Sequence, residues 1–186
     1  MTFGDKIMIA IFRSAFAVVI VAALASGPTG AAAAAEEQRV RAFSTWQGQG
    51  QMLQTGPSEA TFIGMLSGRL YIDTDQGPVD AGTMVCPVVV TVDLKTRTQK
   101  GVGRCTITGP QGNRVYMELT CTGVPLVGCA GDSKLTGGTG PFAHVTGGGH
   151  FVLRSGLHEL AAKGDATVKD TATGITFWRE FNYQIP

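Results

Sequence analysis

Apolar and polar residues alternate with a period of two along most of the chain after residue 36. Between residues 62 and 72 one face collects Phe62, Leu66, Leu70 and Ile72. The segment 113–122 alternates in the same way. Such alternation predicts β-strands with two different environments on their two faces. We predict strands near residues 39–47, 60–73, 83–94, 98–108, 113–122, 129–136, 147–155, 164–171 and 174–184.

Glycines inside these segments favour one all-β architecture over another. Eight or nine short strands are typical of an antiparallel barrel or a sandwich. Gly64, Gly68, Gly101 and Gly103 lie within predicted strands, where glycine usually marks a bend. Because such bends let a sheet close, we predict a single antiparallel β-barrel of about eight strands. The segment 157–163 could form a short turn of helix.

The N-terminal segment has the pattern of an export signal. Lys6 and Arg13 precede an apolar run over residues 14–25, and Ala33 and Ala35 form a small-x-small cleavage site. We predict a signal peptide at 1–35 and a barrel domain at 36–186. An uncleaved membrane anchor is the alternative reading. Export predicts a periplasmic or extracellular location and no membrane partner after cleavage.

Charge and histidine spacing narrow the function classes. The predicted mature chain carries as many acidic as basic residues, so it lacks the surplus cations that nucleic-acid binding needs. His158-Glu159 begins like the zinc motif HExxH, but Ala162 replaces the second histidine. His144 and His150 have no obvious partner set. We therefore expect no metal, no cofactor and no nucleic acid.

Four cysteines behind an export signal indicate two disulfides. Zinc would favour a shorter cysteine spacing than any pair here offers. A turn at Lys95-Thr96 would set Cys86 opposite Cys105, because paired positions of a hairpin have a constant sum. Cys121 and Cys129 flank a short loop. We predict the bonds Cys86–Cys105 and Cys121–Cys129.

The next hairpin tests the same pairing. A turn centred on residues 111–112 would set Cys105 opposite Glu118 rather than Cys121. That register argues against a bond between Cys105 and Cys121.

The glycine-rich segment 135–151 reads as two tight turns flanking Phe142, with glycines supplying positive φ. Its GGTGxFxxxTGxG pattern comprises Gly137, Gly138, Thr139, Gly140, Phe142, Thr146, Gly147 and Gly149. This pattern resembles the allene oxide cyclase-like barrels and the dirigent proteins. The resemblance implies an eight-stranded antiparallel barrel with an apolar lumen, often assembled as a homotrimer. It also implies that relatives cyclise an unsaturated epoxide or steer radical coupling. The motif is part of the scaffold, so it transfers the fold and no catalytic residue.

Polar and aromatic residues in strand-like segments are the candidates for binding. By alternation, Arg179 shares a face with Phe177, Phe181 and Tyr183. An ion on an apolar face is costly unless paired, so it could bind a ligand carboxylate in a barrel mouth. A structural ion pair is the alternative. The candidate ligand-binding residues are Arg179, Tyr183, Phe177, Glu118 and Arg154.

Three functions fit this sequence. The first is a binding module for a small apolar or amphipathic molecule in the lumen. The second is a cofactor-independent isomerase or cyclase for an unsaturated, lipid-like substrate, which would place an isolated ionisable group beside an apolar pocket. The third is a structural or interaction protein whose lumen is filled by its own side chains.

Overall fold

The structure, a computed structural model, describes residues 37–162 and 168–186, and the side chains of residues 157–171 are outside that description. The predicted signal peptide lies outside the described residues. Residues 34–186 form one compact unit. No helix among the described residues is long and apolar enough to cross a membrane.

Eight antiparallel strands close into a barrel, as the alternation predicts. In chain order they are β1 (Glu37–Gly56), β2 (Glu59–Thr74), β3 (Gly77–Asp93), β4 (Thr98–Thr108), β5 (Arg114–Val124), β6 (Gly128–Gly138), β7 (Thr146–Ala162) and β8 (Val168–Gln184). Each strand pairs with its neighbours in sequence, and β1 closes the barrel by pairing with β8. A short 3-10 turn, Gly140–Phe142, lies between β6 and β7.

Two local predictions near the C-terminus are wrong. Residues 157–162 of the segment predicted as a turn of helix are not helical, because β7 continues to Ala162. The predicted break between strands 164–171 and 174–184 is absent, because Gly174 pairs with Trp46 inside β8. A Cβ at Gly174 would lie 2.7 Å from Trp46 Cε2, so glycine makes room here for the indole rather than breaking the strand.

The barrel has two ends, which we name by a residue on each. The Leu126 end carries the turns β1–β2, β3–β4 and β5–β6, together with the end of β7 and the start of β8. The Phe142 end carries the turns β2–β3, β4–β5 and β6–β7, together with the start of β1 and the end of β8.

Both predicted disulfides are present. Cys86 bonds to Cys105, and Cys121 bonds to Cys129. The β3–β4 turn occupies residues 94–97, and the ladder has the predicted constant sum, as in Val88 opposite Gly103. The predicted register of the next hairpin is one residue off, because Cys105 lies opposite Met117 and Arg104 lies opposite Glu118. A loop of odd length, residues 109–113, joins these two strands.

A packed middle layer occupies the centre of the barrel. Its most buried side chains are Cys86, Cys105, Met117, Phe151 and Trp178. The rings of Phe151 and Trp178 lie 6.0 Å apart. This layer separates two cavities that share no lining residue.

Candidate functional site

The cavity at the Leu126 end, here called the Leu126 chamber, has a volume of about 150 Å³. Alternate residues of the strands point into it, because side chains of a strand face its two sides in turn. The residues that line it include Trp46, Gly48, Met52, Phe62, Leu66, Val88, Val90, Val92, Gln99, Leu119, Cys121, Pro125, Leu126, Cys129, Phe151, Leu153, Ser155 and Ala172. An engineered apolar cavity of comparable size, about 150 Å³, holds benzene in another protein.

Few polar groups face this chamber. Gln99 donates a hydrogen bond from Nε2 to the carbonyl oxygen of Gly128 at 3.1 Å, which links the start of β4 to the start of β6. The backbone N–H of Ser155 donates to the carbonyl oxygen of Val127. Among the described residues, Trp46 Nε1 is buried and has no acceptor. The chamber wall is therefore largely apolar, and the Trp46 Nε1 atom exposes almost no surface to it.

The cavity at the opposite end, the Phe142 chamber, has a volume of about 230 Å³. Its lining comprises Val40, Ala42, Leu70, Ile72, Ala81, Ile107, Val115, Met117, Leu135, Phe142, Val145, Trp178, Phe181 and Tyr183. The Tyr183 hydroxyl is the one ionisable group in this set. The indole N–H of Trp178 is already satisfied, because it donates to Ser133 Oγ at 3.0 Å.

The glycine-rich motif builds the floor of the Phe142 chamber. Gly140 has a φ of 59°, a conformation that favours glycine. Thr139 anchors the turn, since its Oγ1 accepts a hydrogen bond from the Arg114 N–H at 2.9 Å. Phe142 and Val145 then point into the barrel. A turn is present as predicted, but Phe142 lies inside it, and the second glycine run, 147–149, belongs to β7.

A β-bulge determines where Arg179 and Phe177 lie. Val40 pairs with Phe181 while Ala42 pairs with Trp178, so Arg179 and Glu180 together face the single residue Arg41. The extra residue reverses the alternation of β8. Phe181 and Tyr183 point inward as expected, whereas Phe177 and Arg179 are exposed. The prediction that Arg179 shares the face of Phe181 and Tyr183 is wrong for this reason.

Outside the barrel, Phe177 belongs to an aromatic row. It is 44% exposed, and its ring lies 6.3 Å from that of Phe43. Phe43 in turn stacks on Tyr71 at 5.2 Å. These cross-strand contacts explain an aromatic residue at that position without a ligand.

The other two candidates also lie on the outside. Glu118 forms a salt bridge with Arg104, with 2.9 Å between its Oε1 and the arginine Nη2. The two residues lie opposite each other on β5 and β4. Arg154 is exposed, and it pairs with Gly128 beside the β5–β6 turn. Of the five predicted residues, Tyr183 lines the Phe142 chamber, and Glu118 lines a groove on the outer wall beside Arg104. Their ligand binding stays a prediction.

The sequence analysis missed Trp46 as a lining residue. The available signal was its position in β1, where alternation places it on the same face as Ser44 and Gly48. The pairing of Trp46 with glycines on both neighbouring strands, Gly68 and Gly174, was invisible without the register.

The histidines do not form a cluster. His150 Nδ1 lies 3.1 Å from Asp132 Oδ1 on the exposed surface. Among the described residues, no group of three or more His, Cys, Asp or Glu side chains could hold a metal ion. The side chain of His158 is outside the described part.

Comparisons with known proteins give likenesses of structure. No family model matches the chain, and no curated protein matches it. The fold is similar to that of a solved pterocarpan synthase dirigent protein, with a TM-score of 0.40 and 11% identity. The match covers 82% of this chain and 93% of that one. Membership of the dirigent-like superfamily stays a prediction.

Proposed function

We propose that this protein is an exported barrel that binds a small apolar or amphipathic molecule in the Leu126 chamber. The observation that carries the proposal is an apolar cavity that extends to the residues of a barrel mouth, from Phe151 in the middle layer to Pro125 and Leu126 in the β5–β6 turn. Two disulfides fit an oxidising location outside the cytoplasm.

The buried indole of Trp46 supports an amphipathic ligand. A buried donor without an acceptor costs about 1–3 kcal/mol. A ligand oxygen would recover that energy if the indole shifted to turn Nε1, which has almost no accessible surface, toward the chamber; a pure hydrocarbon would not. The surrounding apolar wall would hold the remainder of the ligand by burying its carbon atoms.

The chamber linings favour binding over the two alternatives. A filled lumen describes the middle layer, but each end retains a cavity. An isomerase or cyclase would use an ionisable group beside the apolar pocket, and the described lining of the Leu126 chamber consists of apolar and neutral polar residues. Tyr183 keeps that alternative open for the Phe142 chamber alone.

The two tryptophans allow each chamber to be followed separately. A Trp178→Phe chain retains Trp46 as its single tryptophan. Titration of this chain with n-alkanols of increasing length should change the Trp46 fluorescence. Affinity should rise about fourfold per methylene until the chamber is full, since each buried CH₂ contributes about 0.8 kcal/mol.

A matched pair of substitutions locates the site. Val90→Phe places a ring in the Leu126 chamber, and Val115→Phe makes the same change in the Phe142 chamber. Val90→Phe should abolish the alkanol response, and Val115→Phe should preserve it. Circular dichroism confirms that both variants are folded. An unchanged response in Val90→Phe would disprove binding in the Leu126 chamber.

A further inference from the structure

The β5–β6 turn has an apolar tip. Val124, Pro125, Leu126 and Val127 follow one another there, which we call the apolar tip. Val124 is 49% exposed, Leu126 is 60% exposed and Val127 is 54% exposed. Surface turns ordinarily use glycine, asparagine, aspartate or serine. Consecutive exposed apolar residues usually mark an interaction surface.

The structure fixes this tip at the mouth of the chamber, where Pro125 and Leu126 also belong to the lining. Leu126 has a φ of 67°, in the left-handed region that bulky apolar residues rarely adopt. The Cys121–Cys129 disulfide closes the loop at its base. The Val127 N–H donates to the carbonyl oxygen of Val124 across the turn. Chain strain and a covalent bond thus present apolar side chains to the exterior.

Basic residues surround the apolar tip. The neighbouring β3–β4 turn carries Lys95 and Arg97, and it also exposes Leu94. Gln99, just after that turn, pairs with Gly123, just before the tip. Arg154 lies on the opposite side, beside Gly128.

The acidic side chains that the structure describes at this end do not cancel this charge. Among side chains that the structure describes at this end, Lys95, Arg97, Lys100 and Arg154 stand against Glu59 and Asp93. The Asp93 carboxylate accepts hydrogen bonds from the N–H groups of Lys95 and Thr96, so it serves the turn itself. An apolar tip within a basic collar has the composition of a surface that binds anionic lipid.

We propose that the apolar tip docks the protein, Leu126 end first, on a lipid membrane with anionic headgroups. The tip residues enter the headgroup boundary, and the basic collar contacts the lipid phosphates. The ligand of the Leu126 chamber is then an apolar chain drawn from that membrane, a step that rests on the proposed function. This proposal differs from the sequence-based prediction that the exported protein has no membrane partner. That prediction is untested.

The barrel wall offers a matched control surface. On β2 and β3, Ile63 is 54% exposed and Val89 is 40% exposed, and the two residues are directly paired. Their exposure is close to that of the tip residues, but they lie on the outer wall and neither lines the Leu126 chamber. The control therefore separates general stickiness from docking by the tip.

The test is co-sedimentation of the exported protein with vesicles. One vesicle set is pure phosphatidylcholine, and the other contains about one third phosphatidylglycerol. The tip variant is Leu126→Asn with Val127→Thr, because asparagine tolerates the left-handed conformation. The wall variant is Ile63→Thr with Val89→Thr. The charge variant is Lys95→Gln with Arg97→Gln.

We expect the wild type to bind anionic vesicles more tightly than neutral ones. The tip variant should lose about tenfold or more in partitioning, and the charge variant should lose the preference for anionic lipid. The wall variant should bind like the wild type. Val90→Phe should still bind vesicles even where it fails to bind alkanol, so failure of the chamber and failure of the surface are distinguishable.

Two outcomes would overturn the proposal. The first is equal vesicle binding by the tip and wall variants, including no binding by the wild type. The second is a concentration-dependent self-association, seen by analytical ultracentrifugation without lipid, that the tip variant abolishes. That result would identify a second copy of the chain as the occupant.

Discussion

The two tryptophans are similarly buried, but their indole N–H groups have different surroundings. Trp178 donates to Ser133, whose hydroxyl in turn donates to the carbonyl oxygen of Gly149. Trp46 has no acceptor among the described residues. A buried hydrogen bond contributes about 1 kcal/mol net, whereas an unsatisfied donor destabilises.

We therefore predict that Trp178→Phe destabilises the protein by about 1 kcal/mol more than Trp46→Phe. Both substitutions remove the same atoms, so the difference isolates the hydrogen bond. Urea unfolding of the two variants without ligand measures it. Equal losses would show that the Trp178–Ser133 bond contributes nothing.

Arg179 provides a second test at the scale of single residues. The bulge in β8 places its side chain outside the barrel, so Arg179→Met should leave unchanged the binding of an n-alkanoate, a ligand that carries a carboxylate. The single-tryptophan titration measures the dissociation constant in both chains. Loss of binding with an intact fold would support the sequence-based hypothesis that Arg179 anchors the ligand.

At the scale of the elements, the two disulfides close loops of different length. Cys86 and Cys105 are separated by 19 positions, and Cys121 and Cys129 by 8. Loop-closure entropy then gives about 3 kcal/mol for the first bond and about 2.5 kcal/mol for the second.

Replacing both cysteines of a pair with alanine should therefore cost more stability at 86 and 105 than at 121 and 129. The first pair is also more deeply buried, which widens the difference. Guanidinium unfolding under non-oxidising conditions compares the variants. A larger loss at the β5–β6 loop would contradict this ranking.

The β3–β4 turn is sensitive to acid. Hydrogen bonds from the backbone N–H groups of Thr96 and Lys95 hold the pKa of the Asp93 carboxyl below its ordinary value of 3.8. The stabilisation is present above that ordinary value and is lost as the pH falls through the lowered folded pKa. Amide exchange at residues 95 and 96, corrected for intrinsic rates, should lose protection over that range. An Asp93→Ala chain should show no such pH dependence.

The sequence predicts the strands well where alternation is regular and poorly where one residue is added. Phe62, Leu66, Leu70 and Ile72 pack against the core as their period indicates. In β8 the bulge shifts the inward set from Thr176 and Trp178 to Phe181 and Tyr183. A bulge has no sequence signature comparable to alternation, since it depends on pairing with β1. The face of Arg179 could not be read from β8 alone.

The chambers were beyond sequence reasoning for a related reason. A cavity depends on side chains from non-adjacent strands meeting across the lumen, as Trp46, Val90 and Leu119 do. Strand pattern gives the inward set of each strand but not the volume left between them. The middle layer that divides the lumen into two is likewise a product of packing.

At the scale of the whole molecule, mass spectrometry tests export, assembly and ligand retention. A denaturing measurement gives the mass of the chain, and a native measurement gives the mass of the assembly with any bound ligand. Signal-peptide cleavage after Ala35 predicts an exported chain that begins at Glu36. Denaturing mass spectrometry of protein purified from the cells that make it should give that mass. A full-length chain in the membrane fraction would contradict the cleavage prediction. Under native conditions, the resemblance to the cyclase and dirigent barrels predicts a mass of three chains.

Native mass spectrometry of the same material tests the lumen-binding proposal most directly. The account predicts a wild-type protein that retains a small-molecule adduct. The adduct should persist in Val115→Phe and be absent from Val90→Phe, because only the second change fills the Leu126 chamber. A bare wild-type mass, or an adduct that survives Val90→Phe, would contradict the account.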